Sequence, residues 1–262
     1  MLRWQRRSPV TVLVFASVLI CQSSSIAAPE SQFFDAKGVK IHYLVEGAGE
    51  PVILIHGLDS SARINWEVPG TIDALAKDHQ VIALDLPGYG QSDKPVEPEA
   101  YGLRWVDDVI LLLDHLEIQK AHIVGYSMGG MVALKLISEH PDRVLSGTLG
   151  GMGWLKEGGI LQKVWTHMRS VSARGAGELA LTEDELKSIR VPVEVLVGDH
   201  DPMRRLYVDP LREVRNDLQV IEIQDAGHLN CIFKKQFIEE LEKWLDMNRP
   251  EVIARHRSCN KT

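Results

Sequence analysis

Ala121-His122-Ile123-Val124-Gly125-Tyr126-Ser127-Met128-Gly129-Gly130 is the stretch on which the reading of this chain turns. Residues 121–125 form a short apolar run suited to a buried strand, and residues 127–140 carry a helical pattern that stops before Pro141. Between them stands Gly-x-Ser-x-Gly, in the strand–turn–helix setting that this motif requires. The physical reason is steric. A serine held out on a sharp turn forces neighbouring backbone to pass close by, and Gly125 and Gly129 have no Cβ to obstruct it. The helix amino end behind the serine favours developing negative charge. Ser127 is therefore a candidate nucleophile. The plainer alternative is a glycine-rich turn whose serine only caps a helix.

Outward from this stretch the chain alternates strand and helix. Glu30 to Glu50 reads as paired strands closed by a Gly47-Ala48-Gly49 turn. Apolar runs at 51–56, 81–84, 144–149, 191–198 and 220–223 read as further strands. Helices are expected over 71–78, 101–115, 182–189 and 230–247. The last should turn Ile232, Phe233, Phe237, Leu241, Trp244 and Leu245 inward. This order predicts an α/β protein with a mostly parallel, eight-stranded sheet covered by helices on both faces. Ligands of such sheets sit outside the carboxyl ends of the strands.

A nucleophilic serine needs a base, and the base needs an orienting acid. Ten histidines compete. His228 follows the last strand, in Asp225-Ala226-Gly227-His228, and is the candidate base. His42, His79, His122, His115 and His140 lie at positions that suit surface or structural roles, and Gly57 after His56 suggests a structural turn. For the acid, Asp199 and Asp201 compete in the loop Gly198-Asp199-His200-Asp201-Pro202. Asp199 reads alternatively as a turn residue bonding nearby backbone amides. No second cluster supports reading Asp-His-Asp as metal ligands.

These residues resemble the α/β-hydrolase superfamily. Its chain order is serine, acid, histidine, and its usual strand-G-x-x-D-P pattern falls on Asp201. His56-Gly57-Leu58 resembles the family's oxyanion turn. The resemblance implies oxyanion donors at the backbone amides of Leu58 and Met128. Asp85-Leu86-Pro87-Gly88-Tyr89-Gly90-Gln91-Ser92 resembles the D-x-P-G-x-G-x-S loop that packs beside the site. The likeness covers about residues 33 to 248 and implies a serine hydrolase, with carboxylic esters as the expected substrates. Carbon–carbon hydrolysis, lactone opening or perhydrolysis on the same triad, or a triad-retaining ligand receptor, stand as alternatives. Ser127 argues against haloalkane dehalogenases and epoxide hydrolases, which use an aspartate at this turn. No cofactor is implied: Gly88-Tyr89-Gly90 and Gly151-Met152-Gly153 lack the full dinucleotide spacing. The implied partner is a small acyl substrate.

Family members usually insert several helices after the strand that ends here near Gly150, whereas only a short cap, about 151–181, is available. A helix over 159–169 would place Leu161, Trp165 and Met168 on one face, and residues 170–177 read as flexible. The cap is expected either to form a small apolar lid, with Trp154 near the pocket entrance, or simply to pack on the body.

Of 262 residues, 45% are hydrophobic and 25% charged. Both values are ordinary for a globular chain and exclude a disordered or fibrous one. The first seven residues carry Arg3, Arg6 and Arg7. An apolar run at 10–21 and a small, polar segment follow, which is the order of a secretory signal peptide. The expected signal spans 1–28, with cleavage after Ala27 or Ala28, and implies a periplasmic or secreted protein. An uncleaved membrane anchor is the alternative. Beyond residue 28, 26 basic residues face 36 acidic ones, a balance of −10, which argues against a nucleic-acid partner. Of the three cysteines, Cys231 reads as buried and Cys259 as free in a loose polar tail, 249–262, although the two could pair.

Overall fold

The computed structural model describes residues 28–252. Residues 1–27 of the expected signal segment and residues 253–262 of the expected loose tail, Cys259 included, fall outside the described residues. Among the described residues, no helix is long and apolar enough to cross a membrane.

Eight strands form one sheet: β1 (Glu30–Ala36), β2 (Val39–Glu46), β3 (Glu50–Ile55), β4 (His79–Leu84), β5 (Ala121–Tyr126), β6 (Val144–Gly150), β7 (Val193–Gly198) and β8 (Gln219–Ile223). Their order is β1-β2-β4-β3-β5-β6-β7-β8. β2 runs antiparallel to β1 and β4, while β3 to β8 are mutually parallel. The parallel strands are buried on both faces, so they read as continuous apolar runs rather than alternating ones. β3 pairs with β4 on one side and β5 on the other. The order in which the chain adds strands reverses there, with β4 placed on one side of β3 and β5 on the other, which opens a crevice at the carboxyl ends of β3 and β5.

Helices cover both faces. α1 (Thr71–Leu75) and α8 (Lys235–Met247) share one apolar cluster with the sheet, including Trp66, Phe237 and Leu241. α2 (Leu103–His115), α3 (Met128–Glu139), α6 (Glu183–Ser188) and α7 (Asp209–Val214) pack on the opposite face with Trp105, Val132, Leu186 and Leu211. Thr182 closes a capping box at α6, its hydroxyl accepting from the Glu185 amide while Glu185 reaches back to the Thr182 amide. This reciprocal satisfaction of orphan donors fixes where the helix starts.

Three expectations are corrected. The last helix does not run from residue 230. A 3-10 turn, Cys231–Phe233, is separated from α8 by Lys234 in extended conformation, φ −80° and ψ 134°. That break turns Phe233 outward, 46% exposed, while Ile232 and Phe237 stay buried. The cap helix is shorter than expected: α4 spans Ile160–Thr166. Residues 170–177 are not irregular. They form α5 (Val171–Gly175), capped by the Ser170 hydroxyl, and lead into a 3-10 turn at Ala176–Leu179. Smallness at this segment is a packing requirement rather than a sign of looseness. A Cβ on Gly177 would lie 2.6 Å from the Thr166 methyl, a separation that real side chains do not tolerate.

Candidate active site

Ser127 sits between β5 and α3 with φ 53° and ψ −119°. A non-glycine residue there is held against its own preference, at a cost of roughly 1–3 kcal/mol. The surroundings hold it so. Its amide donates to Gly150 O at 2.7 Å. A Cβ on Gly125 would lie 2.0 Å from Gly129 O, and one on Gly129 would lie 2.3 Å from Ile55 O. The two glycines thus let three backbone segments meet beneath the serine, as the sequence argument requires.

His228 Nε2 lies 2.9 Å from Ser127 Oγ, and its Nδ1 lies 2.9 Å from Asp201 Oδ2. Asp201 is buried. Its other oxygen accepts the Met203 amide at 2.8 Å, so the carboxylate is fixed from two sides. With an acid on Nδ1, the imidazole carries its proton there and leaves Nε2 free to accept from the serine. Tyr126 supports the base from below: its hydroxyl donates to His228 O, and its ring stacks on the imidazole with centroids 5.7 Å apart. Burial holds the Tyr126 phenol far above its ordinary range. Burial, followed by the nearby Asp201 charge, pushes the Cys231 thiol up to about 12. Cys231 is therefore a neutral, buried thiol behind the dyad.

Asp199 has a different task. It accepts the Ala226 amide at 2.9 Å and the Asp225 amide at 3.1 Å, tying the acid loop to the histidine loop. These bonds, led by that from Ala226, lower its carboxyl to about 2.

The turn after β3 lies against the serine, where a Cβ on Gly57 would be 3.2 Å from Ser127 Cβ. Neither the Leu58 nor the Met128 amide donates to an acceptor among the described residues. Both are free to meet an oxyanion. His56 locks this turn. Its Nδ1–H donates to Gly57 O at 2.7 Å and its Nε2 accepts the Leu86 amide at 3.1 Å. Burial lowers its pKa, so it is a neutral structural group. Asn65, which the sequence reading missed, accepts the Gly57 amide at 2.8 Å. It lies in the short π-helical turn Arg63–Glu67, a stretch without periodicity or motif to mark it. Asp85, from the D-x-P-G-x-G-x-S loop, takes the Ala62 and Gln91 amides and His42 Nδ1, anchoring the same region.

A cavity of about 440 Å³ opens onto Ser127 and His228. It is walled by Leu58, Ile64, Met152, Trp165, Met203 and Phe233, among others. Of the four pocket residues expected, Trp165 alone is in the lining. Trp154 is 3% exposed and donates its indole N–H to Leu181 O at 2.8 Å, bracing the base of the cap instead of the entrance. Leu161 packs partly against the core, and Met168 faces solvent. The reason lies in where α4 stops. It ends at Thr166, so Met168 leaves the helical face that spacing gave it. A larger cavity, about 670 Å³, lies on the outer side of the acid loop beside Arg204, Arg205 and Asp209, and neither Ser127 nor His228 lines it.

Comparison with known proteins agrees with this architecture. The alpha/beta hydrolase fold family matches residues 50–157. The chain is 34% identical to a 2-hydroxymuconate semialdehyde hydrolase of Pseudomonas sp. strain CF600, over 67% of this chain and 65% of that protein, just under two thirds of its length. It is 30% identical to a 2-hydroxymuconate semialdehyde hydrolase of Pseudomonas putida, over 70% of this chain and 68% of the relative. A crystal structure of a meta-cleavage product hydrolase from Pseudomonas fluorescens is similar in fold, with a TM-score of 0.67 at 24% identity, covering 83% of this chain and 98% of that one. The chain belongs to the α/β-hydrolase family, as the motifs around Ser127 predict.

Proposed function

We propose that Ser127 is the nucleophile of an acyl-transfer hydrolase, with His228 as base and Asp201 as orienting acid. The observation that carries this reading is the continuous relay from Ser127 Oγ through His228 to Asp201, both contacts at 2.9 Å. His228 accepts the serine proton while Oγ attacks a substrate carbonyl. The Leu58 and Met128 amides receive the oxyanion, each such donor lowering the barrier by roughly 3–4 kcal/mol. The imidazolium, held by Asp201, then protonates the leaving group. Water repeats the sequence on the acyl-enzyme, releasing a carboxylic acid and restoring the serine. Replacing Ser127 with alanine should lower turnover by about 10⁶-fold. A fluorophosphonate should label the native chain at Ser127. A variant retaining a tenth of native turnover would dismiss the assignment.

The bond broken is read first as carbon–carbon, next to a ketone. What supports this is the pair of relatives at 30% and 34% identity, both named as semialdehyde hydrolases. In that reaction the acyl carbon–carbon bond breaks, and the departing carbon, stabilised as an enolate by a neighbouring carbonyl, takes its proton from His228. Ester hydrolysis is a second reading, and the cavity favours it. No Lys or Arg lines the cavity, and Asp59 does. Such a lining suits an uncharged substrate better than a muconate carboxylate. Side-by-side kcat/KM values on an uncharged aryl ester, an uncharged diketone and a carboxylate-bearing diketone separate the readings. The first reading expects a diketone to lead; the second expects the ester.

The arginine-led, apolar amino-terminal segment supports export, with a mature terminus near Ala28, Pro29 or Glu30. Sequencing the terminus of protein recovered from the periplasm or medium tests this, and intact Met1 on membrane-integrated protein would point to an anchor instead.

A further inference from the structure

Large apolar side chains that face water gather at the mouth of the Ser127 cavity. Ile64 is 52% exposed, Leu229 86% and Phe233 46%, and all three line the cavity. Val164, 52% exposed, stands next to Trp165, which also lines it. They come from three separate segments: the turn after β3, the cap helix α4, and the loop that carries His228. An exposed apolar grouping collected from distant segments marks a contact surface.

The charges beside this collar indicate the partner. Each segment carries a basic residue next to its apolar one: Arg63 before Ile64, Lys163 before Val164, and Lys234 after Phe233. Lys163 and Lys234 have no acidic partner among the described residues, and Arg63 meets only Glu67, at 3.5 Å. Asp59 is the one acidic side chain in the cavity lining. Yet the chain beyond residue 28 carries a balance of −10. At the opposite end of the parallel strands, where β4 begins, Asp78, Glu239, Glu242 and Asp246 line a groove against Lys243. The mouth thus carries two lysines without acidic partners among the described residues, while the groove at the other end of the strands is rich in acids.

We propose that this collar docks the cavity mouth on an anionic lipid surface, so that apolar substrate enters from the lipid phase. Apolar side chains inserted at the headgroup level and lysines beside them are the two contributions from which interfacial binding is built. A second copy of the chain fits the collar less well, because pairing two mouths would bring their basic rims together. The docking does not depend on which bond the site hydrolyses, and its test reads binding alone.

The test uses the full chain with Leu229→Cys carrying an environment-sensitive fluorophore. Cys21→Ser and Cys259→Ser remove competing thiols, and Cys231 is buried. A second labelled chain carries Met247→Cys, at the far end of α8, as a reference. With vesicles of phosphatidylcholine and phosphatidylglycerol in equal parts, emission from position 229 should shift to the blue while position 247 stays water-like. Phosphatidylcholine alone should bind more weakly. Lys163→Glu with Lys234→Glu should lower the apparent affinity at least about tenfold, in protein whose circular dichroism is unchanged. The proposal is overturned if the protein sediments with vesicles while position 229 remains in water, since another part of the chain then holds it there. It is also overturned if the blue shift appears without vesicles and grows with protein concentration, which would identify a second copy as the occupant.

Discussion

Two residues separate Asp199 from Asp201, and what reaches each carboxylate decides its role. Asp201 is buried and meets His228 Nδ1, whereas Asp199 receives two backbone amides. Asp201→Asn preserves shape but favours the wrong imidazole tautomer, so kcat should fall about 10⁴-fold. Asp199→Asn should leave kcat within about tenfold of native, because its bonds stabilise a loop and do not touch the base. Steady-state kinetics on both variants, with folding checked by circular dichroism, make the comparison. Asp199 also makes an acid-stability prediction. Its folded pKa, about 2, lies below the ordinary 3.8. Its contribution is therefore present above about pH 4 and is lost as pH falls toward 2. The Asp199→Asn variant should lack that part of the acid transition in a pH melt. The sequence distinguished these two aspartates only through the family's strand-G-x-x-D-P pattern, since spacing alone leaves both in reach. Ser127 and His228 were more legible, because one lies in a sterically demanding motif and the other closes the chain order. Asn65 was not legible at all: its contact with the Gly57 amide exists only after the turn after β3 folds back on the strand.

At the level of elements, β7 hides a carboxylate in an apolar run. Glu194 is fully buried, with Thr148 Oγ1 donating to it at 3.0 Å and its second oxygen without a partner among the described residues. Burial, the largest cause, raises its pKa from 4.5 to about 8. The sign follows directly. Between about pH 4.5 and 8 the folded chain keeps a proton that the unfolded chain releases. Stability should therefore fall as pH rises through that window, by up to ~1.4 kcal/mol per pH unit, and level off above it. Glu194→Gln keeps an acceptor for Thr148 and cannot ionise, so urea midpoints of native and variant should diverge progressively from about pH 4.5 to about pH 8. Parallel shifts across that range would mean that Glu194 does not control the slope. The strand itself was legible from its hydrophobicity. What periodicity could not supply was the cap: residues 170–177 look loose by composition, but Gly175 and Gly177 are small because Gly102 and Thr166 press against them. Short tertiary contacts of this kind leave no periodic trace, and the same holds for the break at Lys234 that sends Phe233 into the mouth.

On the scale of the whole molecule, the cavity is the least local feature of all. Leu58 and Ile64 come from the turn after β3, Met152 from the end of β6, Trp165 from the cap, Met203 from the acid loop, and Ile232 and Phe233 from the segment before α8. The alternation of strands and helices fixes that these segments meet at one sheet edge, but not which side chains point into the gap. That is why the architecture was predicted correctly while Trp154, Leu161 and Met168 were misplaced. The composition of the wall nevertheless makes a quantitative prediction. A predominantly apolar cavity of about 440 Å³ has room for an acyl chain well beyond acetyl. Each methylene that it buries contributes about 0.8 kcal/mol, which corresponds to a factor of up to about four in kcat/KM. Across an aryl ester series, kcat/KM should therefore climb from acetyl toward hexanoyl, by up to a few-fold per added carbon. Trp165→Ala should flatten the climb at the longer chains by removing one wall, while leaving acetyl turnover, which needs only the oxyanion turn and the triad, within a few-fold of native. A series that is flat or falling in the native protein would reject an apolar acyl pocket. A variant slowed equally on every ester would show that Trp165 braces the cap and does not contact the acyl chain.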